Sequence, residues 1–312
     1  MSLISPYAAL LAELPVREGT VSILGSSTKF WDYGPADAET IIVAVHGFRG
    51  EHHGLEPVVA QLRGLRVISP DLPGFGESTP LTAATHSIAG YSAWLTAFVE
   101  SLDLDGRAII LGHSFGSIVT SAAVGAGLAT PRLVLINPIA APALSGPKAF
   151  LTWLTVMYYR LGAALPEKLG AALLGNWIIV HITSIVMVTT TDKHLRRWIH
   201  NQHHTYFSRY SDRSTVLDGF NASVTSDVSM AAPAITVPTL LIAADHDPIT
   251  SVRALHRLQD LFVDSSMVML ADVGHLIHYE RPLEAARAIV GFLGTGSVAG
   301  DALPDVASGG SR

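Results

Sequence analysis

The stretch IILGHSFGSIV, Ile109–Val119, places one serine between two glycines at the end of an apolar run. The residues before Ser114 are those of a buried strand, and the small and apolar residues after it have the composition of a helix. Two interpretations follow from this stretch alone. Ser114 is either a nucleophile held out on a sharp turn or a small residue at an ordinary strand-to-helix junction, and the rest of the chain has to decide between them.

The composition narrows the class of protein. Of the 312 residues 49% are hydrophobic and 15% are charged, which is a low charged fraction for a globular protein. The net charge of -6 supplies no basic surface for a phosphate backbone, so we expect no nucleic-acid partner. Because the chain has no cysteine, disulfides, thiolate metal sites and a cysteine nucleophile are excluded.

The two ends of the sequence carry no chemistry that we can recognise. The N-terminal MSLISPYAALLAELPVREG lacks a basic segment, and Pro6 and Glu13 interrupt its apolar residues. This pattern predicts a short amphipathic helix and no signal peptide, and hence a cytoplasmic protein. Residues 295–312 are small and polar without periodicity and predict a flexible tail.

Between these ends, apolar runs alternate with amphipathic segments. TVSIL and TKFWDYGP, joined by a turn, predict an opening hairpin. The later runs are TIIVAVHG, LRVISPDLPG, RAIILGHS, RLVLINP, PTLLIAADHDP and SSMVMLADVGH, with helical patterns between most of them, the first around LEPVVAQLRG. Such alternation predicts an α/β fold, with a mostly parallel twisted sheet of about eight strands covered by helices on both faces.

The alternation stops between residues 139 and 232, where only helical patterns occur. We therefore divide the chain into an α/β core, residues 1–138 and 233–294, an inserted helical cap, residues 139–232, and the tail. Leu169–Val188 lies in this cap and has no charged residue, which meets the length criterion for a membrane span. Asn176 and His181 are costly in hydrocarbon, so the pattern favours a buried cap helix or a surface that dips into lipid.

Four motifs, in order, resemble those of the α/β-hydrolase fold superfamily, and in particular its carboxylesterase- and lipase-like serine hydrolases. They are VHGFRG, GHSFG, ADHDPIT and ADVGHLIHYERP, and the resemblance extends from Thr20 to Leu293. It implies a catalytic triad of Ser114 as nucleophile, Asp247 as acid and His275 as base. Asp245 competes for the acid position, and His278 is the alternative base that we interpret as structural.

The resemblance also implies an oxyanion hole formed by the backbone N–H groups of Phe48 and Phe115. Supporting residues follow from the same motifs. His46 and Gly47 would shape the oxyanion loop, and Gly112 and Gly116 would leave room for the sharp turn. We expect no catalytic role for three nearby residues. His52 and His53 are interpreted as exposed loop or pocket-rim residues, and Asp71 as structural.

The cap contains the histidine-rich stretch HLRRWIHNQHH. His200 and His204 have a spacing of four residues, which can ligate zinc on a helix. No glutamate lies between them as in the metalloprotease pattern, so we expect an amphipathic helix and neither a metal nor a cofactor.

Function follows from the implied triad. A serine nucleophile argues against epoxide opening and halide displacement, and the apolar cap favours a small lipophilic carboxylic ester as substrate. Cleavage of a C–C bond in a diketone, lactone hydrolysis and acyl transfer use the same machinery and stay open. A further alternative is a protein without catalytic activity that binds a hydrophobic ligand or contacts a membrane surface through the cap. The sequence does not indicate an oligomeric state.

Overall fold

Ten strands and twelve α-helices form the part of the chain that the computed structural model describes, residues 3–141 and 149–300. The strands are β1 (Val16–Ile23), β2 (Ser26–Tyr33), β3 (Ile41–Val45), β4 (Leu62–Arg63), β5 (Arg66–Pro70), β6 (Ile109–His113), β7 (Leu133–Ile136), β8 (Thr239–Ala244), β9 (Ser265–Leu270) and β10 (Ser297–Val298). The helices are α1 (Ala8–Ala12), α2 (Glu56–Val59), α3 (Ile88–Ser101), α4 (Phe115–Gly125), α5 (Ala149–Ala164), α6 (Glu167–Leu174), α7 (Trp177–Met187), α8 (Lys193–Tyr206), α9 (Arg213–Thr225), α10 (Val252–Gln259), α11 (Ile277–Glu280) and α12 (Pro282–Leu293).

Eight of the strands form one sheet in the order β1-β2-β5-β3-β6-β7-β8-β9. The hairpin β1–β2 and the pair β2–β5 are antiparallel, and every pair from β5 to β9 is parallel. This confirms the predicted fold of about eight mostly parallel strands with a helical insertion. β4 and β10 form a separate antiparallel pair.

Both faces of the sheet are buried, which explains the continuous apolar runs in the sequence. Strand β3 shows the division, because Val43 and Val45 belong to the core cluster on one face and Ile42 and Ala44 to the cluster on the other. Helices α3, α4 and α10 contribute buried side chains to the first cluster, and α2, α11 and α12 contribute to the second.

The cap helices α5–α9 lie between β7 and β8 along the chain. They contact the loops that follow the carboxyl ends of the strands. The N–H of Gly76 donates to the carbonyl of Arg209, and Phe75 pairs with Tyr210 across this boundary. The insertion therefore covers the edge of the sheet at which open α/β folds bind their ligands.

Two local predictions were wrong. The helix expected around LEPVVAQLRG is a single turn, α2, after which Leu62 and Arg63 pair with Ser297 and Val298. The pairing of β4 with β10 also shows that the predicted flexible tail does not begin at residue 295. Ala299 donates to the carbonyl of Gln61, so the chain keeps core contacts beyond residue 295, and residues 301–312 lie outside the described residues.

Candidate active site

Ser114 follows β6 directly and precedes the first residue of α4. Its backbone has φ 53° and ψ -117°, a conformation that L-residues rarely adopt and that costs on the order of 1–3 kcal/mol. Such local strain occurs where the surrounding structure holds a functional residue in place. Ser114 is thus not a relaxed strand-to-helix junction, which was the alternative that the sequence left open.

The two glycines of GHSFG are required by close backbone contacts. A Cβ atom on Gly116 would lie 2.3 Å from the carbonyl oxygen of Val45 in β3, and one on Gly112 would lie 2.5 Å from the carbonyl oxygen of Gly116. Neither clash can be relieved by a side-chain rotation. The turn can therefore press against the neighbouring strand only because both positions lack a side chain.

A chain of hydrogen bonds joins Ser114 to a buried carboxylate. His275 Nε2 lies 2.7 Å from Ser114 Oγ, and His275 Nδ1 lies 2.7 Å from Asp247 Oδ2. His275 is 3% exposed and Asp247 is 6% exposed, so both groups are shielded from bulk water. Asp247 accepts from His275 Nδ1–H, which leaves Nε2 free to take a proton from the serine hydroxyl.

The carboxylate of Asp247 is kept ionised by its surroundings. Burial alone would raise its pKa, but the charge and hydrogen bond of His275, with the backbone N–H groups of Ile249 and Thr250, hold the pKa below its usual value. The sequence left Asp245 as a competitor. The structure places Asp245 away from His275, beside His246 and the N–H of Val273.

Asn137, at the carboxyl end of β7, is a residue that the sequence analysis missed. Its amide Nδ2 donates to Asp247 Oδ2 at 3.1 Å and lies 3.4 Å from the carbonyl oxygen of Gly274. It therefore links the acid-bearing loop to the loop that carries His275. Its positive φ of 47° suits asparagine better than most residues, and the motif LINP gave no signal of this role.

The predicted oxyanion loop follows β3 and lies against the serine. A Cβ atom on Gly47 would be 3.3 Å from Ser114 Cβ, so the loop backbone passes directly beside the hydroxyl-bearing residue. His46 supports the loop from inside, because its Nε2 accepts from Leu72 N–H and its Nδ1 donates to the Gly47 carbonyl. Burial lowers the pKa of His46, which keeps the ring neutral for this pair of bonds.

The backbone N–H groups of Phe48 and Phe115 make no hydrogen bond among the described residues. Both residues flank the serine turn, and their rings lie 6.1 Å apart between centroids. Buried or half-buried N–H groups normally have acceptors. Two such groups beside Ser114 are therefore suited to hold a negatively charged oxygen.

Arg49, the next residue of this loop, was also missed. It is 3% exposed and donates to the carbonyls of Phe207 and Leu174 and to the Tyr159 hydroxyl, at 2.9, 3.0 and 3.1 Å. All three partners belong to the cap. One buried guanidinium therefore fastens the oxyanion loop to three separate cap segments.

Several other histidines have structural surroundings. His52 was expected at an exposed loop or pocket rim, and this was wrong: it is 2% exposed, stacks on Trp31 and lies 3.0 Å from Asp71 Oδ1. His53 is half-buried and stacks on Tyr206 of α8. His278 is buried and does not contact Ser114; its ring packs on His113 with centroids 4.0 Å apart.

The histidines of α8 do not form a ligand cluster in the described structure. His200 Nδ1 lies 2.6 Å from the Ser184 hydroxyl, and His204 Nε2 lies 3.0 Å from His181 Nδ1. The groups that do bring metal-ligating atoms together in the described residues are Glu51 with His52 and His53, and Asp245 with His246 and Asp272. Neither group includes His200 or His204.

Comparison with known proteins identifies the family of the chain. A model of the alpha/beta hydrolase family matches residues 42–288, which include every residue of the site. The chain belongs to the alpha/beta hydrolase family. The resemblance found in the sequence is thereby confirmed, and the protein is a hydrolase of this fold.

The relatives show how widely activities vary within the family. A protein described as a carbamate hydrolase, RutD of Pseudomonas syringae pv. syringae (strain B728a), is 25% identical over 83% of this chain and 95% of its own length. Lipase 1 of Psychrobacter immobilis is 22% identical over 90% of this chain and 84% of its own. The solved esterase EaEST of Exiguobacterium antarcticum has a TM-score of 0.72 at 15% identity, covering 88% of this chain and 99% of that one, and shows the shared fold.

Proposed function

We propose that this alpha/beta hydrolase cleaves lipophilic carboxylic esters through an acyl-enzyme formed on Ser114. The observation that carries the proposal is the continuous hydrogen-bonded chain from Ser114 Oγ through His275 to Asp247, with both distances at 2.7 Å. Hydrolases that use this arrangement transfer an acyl group in two steps.

The first step forms the acyl-enzyme. His275 Nε2 takes the hydroxyl proton of Ser114 as its oxygen attacks the ester carbonyl, and the backbone N–H groups of Phe48 and Phe115 hold the resulting oxyanion. The C–O bond to the alcohol then breaks, and the alkoxide leaves with the proton from His275. Water repeats the sequence in the second step and releases the acid, while Asp247 stabilises the imidazolium in both steps.

An aromatic cluster beside the oxyanion loop supports a lipophilic acyl group. The Phe48 ring is half-buried and lies between the rings of Phe75, Phe115, Tyr159 and Phe220, with centroids 5.8 to 6.2 Å away. Each additional methylene buried against such surfaces contributes about 0.8 kcal/mol, or roughly a fourfold gain in kcat/KM. We expect kcat/KM to rise from acetate through the medium-length nitrophenyl esters.

Labelling with a fluorophosphonate tests the nucleophile. The wild-type protein should be labelled and Ser114→Ala should not. Ser121→Ala is the matched control, because Ser121 also lies in α4 and its buried hydroxyl has no hydrogen-bond partner within residues 3–141 and 149–300. Labelling that survives Ser114→Ala would contradict the assignment. Ester kcat should fall by about five to six powers of ten in Ser114→Ala or His275→Ala, and activity that declines steadily from acetate would contradict a lipophilic substrate.

A further inference from the structure

Helix α7 packs on the protein through Val180 and Ser184, its two buried side chains. Ser184 is 1% exposed, and its hydroxyl lies 2.6 Å from Nδ1 of both His200 and His203 in α8. His181 of α7 also bonds to α8, since its Nδ1 lies 3.0 Å from Nε2 of His204. A helix on the surface of a soluble protein normally turns its apolar side toward the core. In α7 one valine does so, but most of the large hydrophobic side chains are exposed.

The outer face of α7 is apolar. We define the α7 face by the five large hydrophobic side chains that this helix exposes, which are between 39% and 66% accessible: Trp177, Ile178, Ile182, Ile185 and Val186. The one exposed hydroxyl among them, on Thr183, donates to the carbonyl of Ile179 within the helix. The face therefore presents little that requires water, and none of its residues is charged.

The cap helices α5, α6 and α8 carry mostly positive charges that are free of ion pairs among the described residues. Arg160, Lys168, Lys193 and Arg197 are exposed and form no ion pair among the described residues. The acidic residues of the same helices are already engaged, since Glu167 pairs with Arg213 at 2.9 Å. Asp192, which precedes α8, accepts from the N–H groups at the start of that helix. The cap, residues 139–232, contains eight Lys and Arg against five Asp and Glu, whereas the whole chain has a net charge of -6.

The apolar segment that contains α7 is divided in its middle and held on the protein just beyond its C-terminal end. Residues 167–187 are the one segment of the described chain that is long and apolar enough to cross a bilayer by length and composition. The segment is divided at Gly175 and Asn176, and α7 alone is about 16 Å long, about half of a hydrocarbon core. Just beyond α7, the Thr189 hydroxyl accepts from Gly274 N–H and donates to Glu280. These contacts favour a helix that lies along a surface over one that spans.

We propose that the α7 face docks on the surface of an anionic lipid bilayer, with α7 in the plane of the interface. An apolar helix face with tryptophan at its end, in a cap whose other helices expose lysine and arginine, is the combination that such surfaces bind. The excess of positive charge in the cap selects an anionic bilayer over a neutral one. This inference goes beyond ester hydrolysis and does not depend on it.

Vesicle co-sedimentation of the full chain tests the proposal. The probes are vesicles of phosphatidylcholine alone and of phosphatidylcholine mixed equally with phosphatidylglycerol. We expect wild-type protein to bind the anionic vesicles more tightly and to release with rising salt. The double variant Ile182→Glu with Ile185→Glu should lower the partition coefficient by about a hundredfold. Its matched control is Leu261→Glu with Val263→Glu, which alters two exposed apolar residues of the core.

A second pair of variants tests the charges. Lys168→Glu with Arg197→Glu should reduce binding to anionic vesicles by about tenfold or more and leave the weaker binding to neutral vesicles unchanged. Arg253→Glu with Arg257→Glu, on exposed positions of α10, makes the same charge change on the core as a control. Circular dichroism and turnover of a soluble nitrophenyl ester establish that each variant is folded.

Three results would overturn the proposal. The first is the absence of vesicle binding by the wild-type protein at low salt. The second is an equal loss of binding in the core control variants. The third is a wild-type dimer that Ile182→Glu with Ile185→Glu converts to a monomer, because a second copy of the chain would then cover the α7 face. Vesicle binding by a protein that hydrolyses no ester would contradict the proposed function and leave this inference intact.

Discussion

Arg49→Met tests whether the oxyanion loop depends on the cap. Methionine keeps much of the apolar length of the side chain and removes the guanidinium. The carbonyls of Leu174 and Phe207 then lose a donor, and so does the Tyr159 hydroxyl. Since Arg49 follows Phe48 directly, the same change also releases the loop segment whose N–H is proposed to bind the oxyanion.

The size of the effect can be worked from these contacts. A buried polar group left without its partner costs about 1–3 kcal/mol, and the Leu174 carbonyl, whose bond to Arg49 is buried, gives about that much by itself. The guanidinium also lies over the rings of Phe207 and Tyr210, 4.6 and 5.3 Å from their centroids, which adds about 1 kcal/mol or more. Loss of one oxyanion donor typically lowers kcat by about a hundredfold or more.

Three measurements check this reasoning. Urea unfolding should show a lower free energy of unfolding, limited proteolysis should cut the cap of Arg49→Met faster than that of wild type, and kcat on a nitrophenyl ester should fall about a hundredfold. Arg209→Met is the control, since Arg209 is exposed and stacks on Tyr206. A kcat of Arg49→Met within about threefold of wild type would show that the loop holds its geometry without the cap.

Further changes address the acid and the buried histidines. Asp247→Asn should lower kcat by about four powers of ten. Asn137→Gly removes the side-chain amide without straining a positive φ, and it should lower kcat by about tenfold or more because a hydrogen bond to a charged group is lost. Steady-state kinetics measures both effects. Burial lowers the pKa of His113 and of His203 to about 3 and holds that of His278 well below its usual range. In the unfolded chain these histidines take up protons near pH 6.5. The free energy of unfolding therefore has its full value above that pH and decreases below it, by about 2 kcal/mol per histidine between about pH 7 and pH 5. His278→Phe should reduce this loss of unfolding free energy by the contribution of one histidine, as measured by urea unfolding between pH 5 and pH 7.

Controls separate these effects from general damage. Asp245→Asn changes a neighbouring carboxylate that does not contact His275, so its kcat should stay near that of wild type. An equal loss in both aspartate variants would contradict the geometric assignment. For the histidines, an unfolding free energy that is flat between pH 5 and pH 7 in the wild-type protein would contradict burial of neutral rings.

The sequence predicted the parts of the molecule that depend on local patterns. Buried strands appear as apolar runs because both faces of the sheet are covered, and the turn at Ser114 appears as small residues because its backbone contacts leave no room. The prediction of Ser114, Asp247 and His275 as a triad came instead from the resemblance of four motifs to the α/β-hydrolase fold superfamily.

What the sequence could not show depends on contacts between distant segments. Arg49 is one charged residue in a loop, and only the folded cap supplies its acceptors. Asn137 bonds to a carboxylate 110 residues away. His52 looked like an exposed loop residue because its partners, Trp31 and Asp71, lie on other segments. The outward apolar face of α7 was also hidden, because the composition of a helix does not state which side packs.

The contact between Gly116 and the carbonyl oxygen of Val45 has a consequence for protein engineering. Strand β3 leads directly into the loop with Phe48, and the serine turn rests on the end of that same strand. The proposed nucleophile and one proposed oxyanion donor are therefore held by the same strand end, so a substitution that moves one of them also moves the other. Libraries aimed at new substrates should leave this strand end fixed and vary the cap residues that surround it.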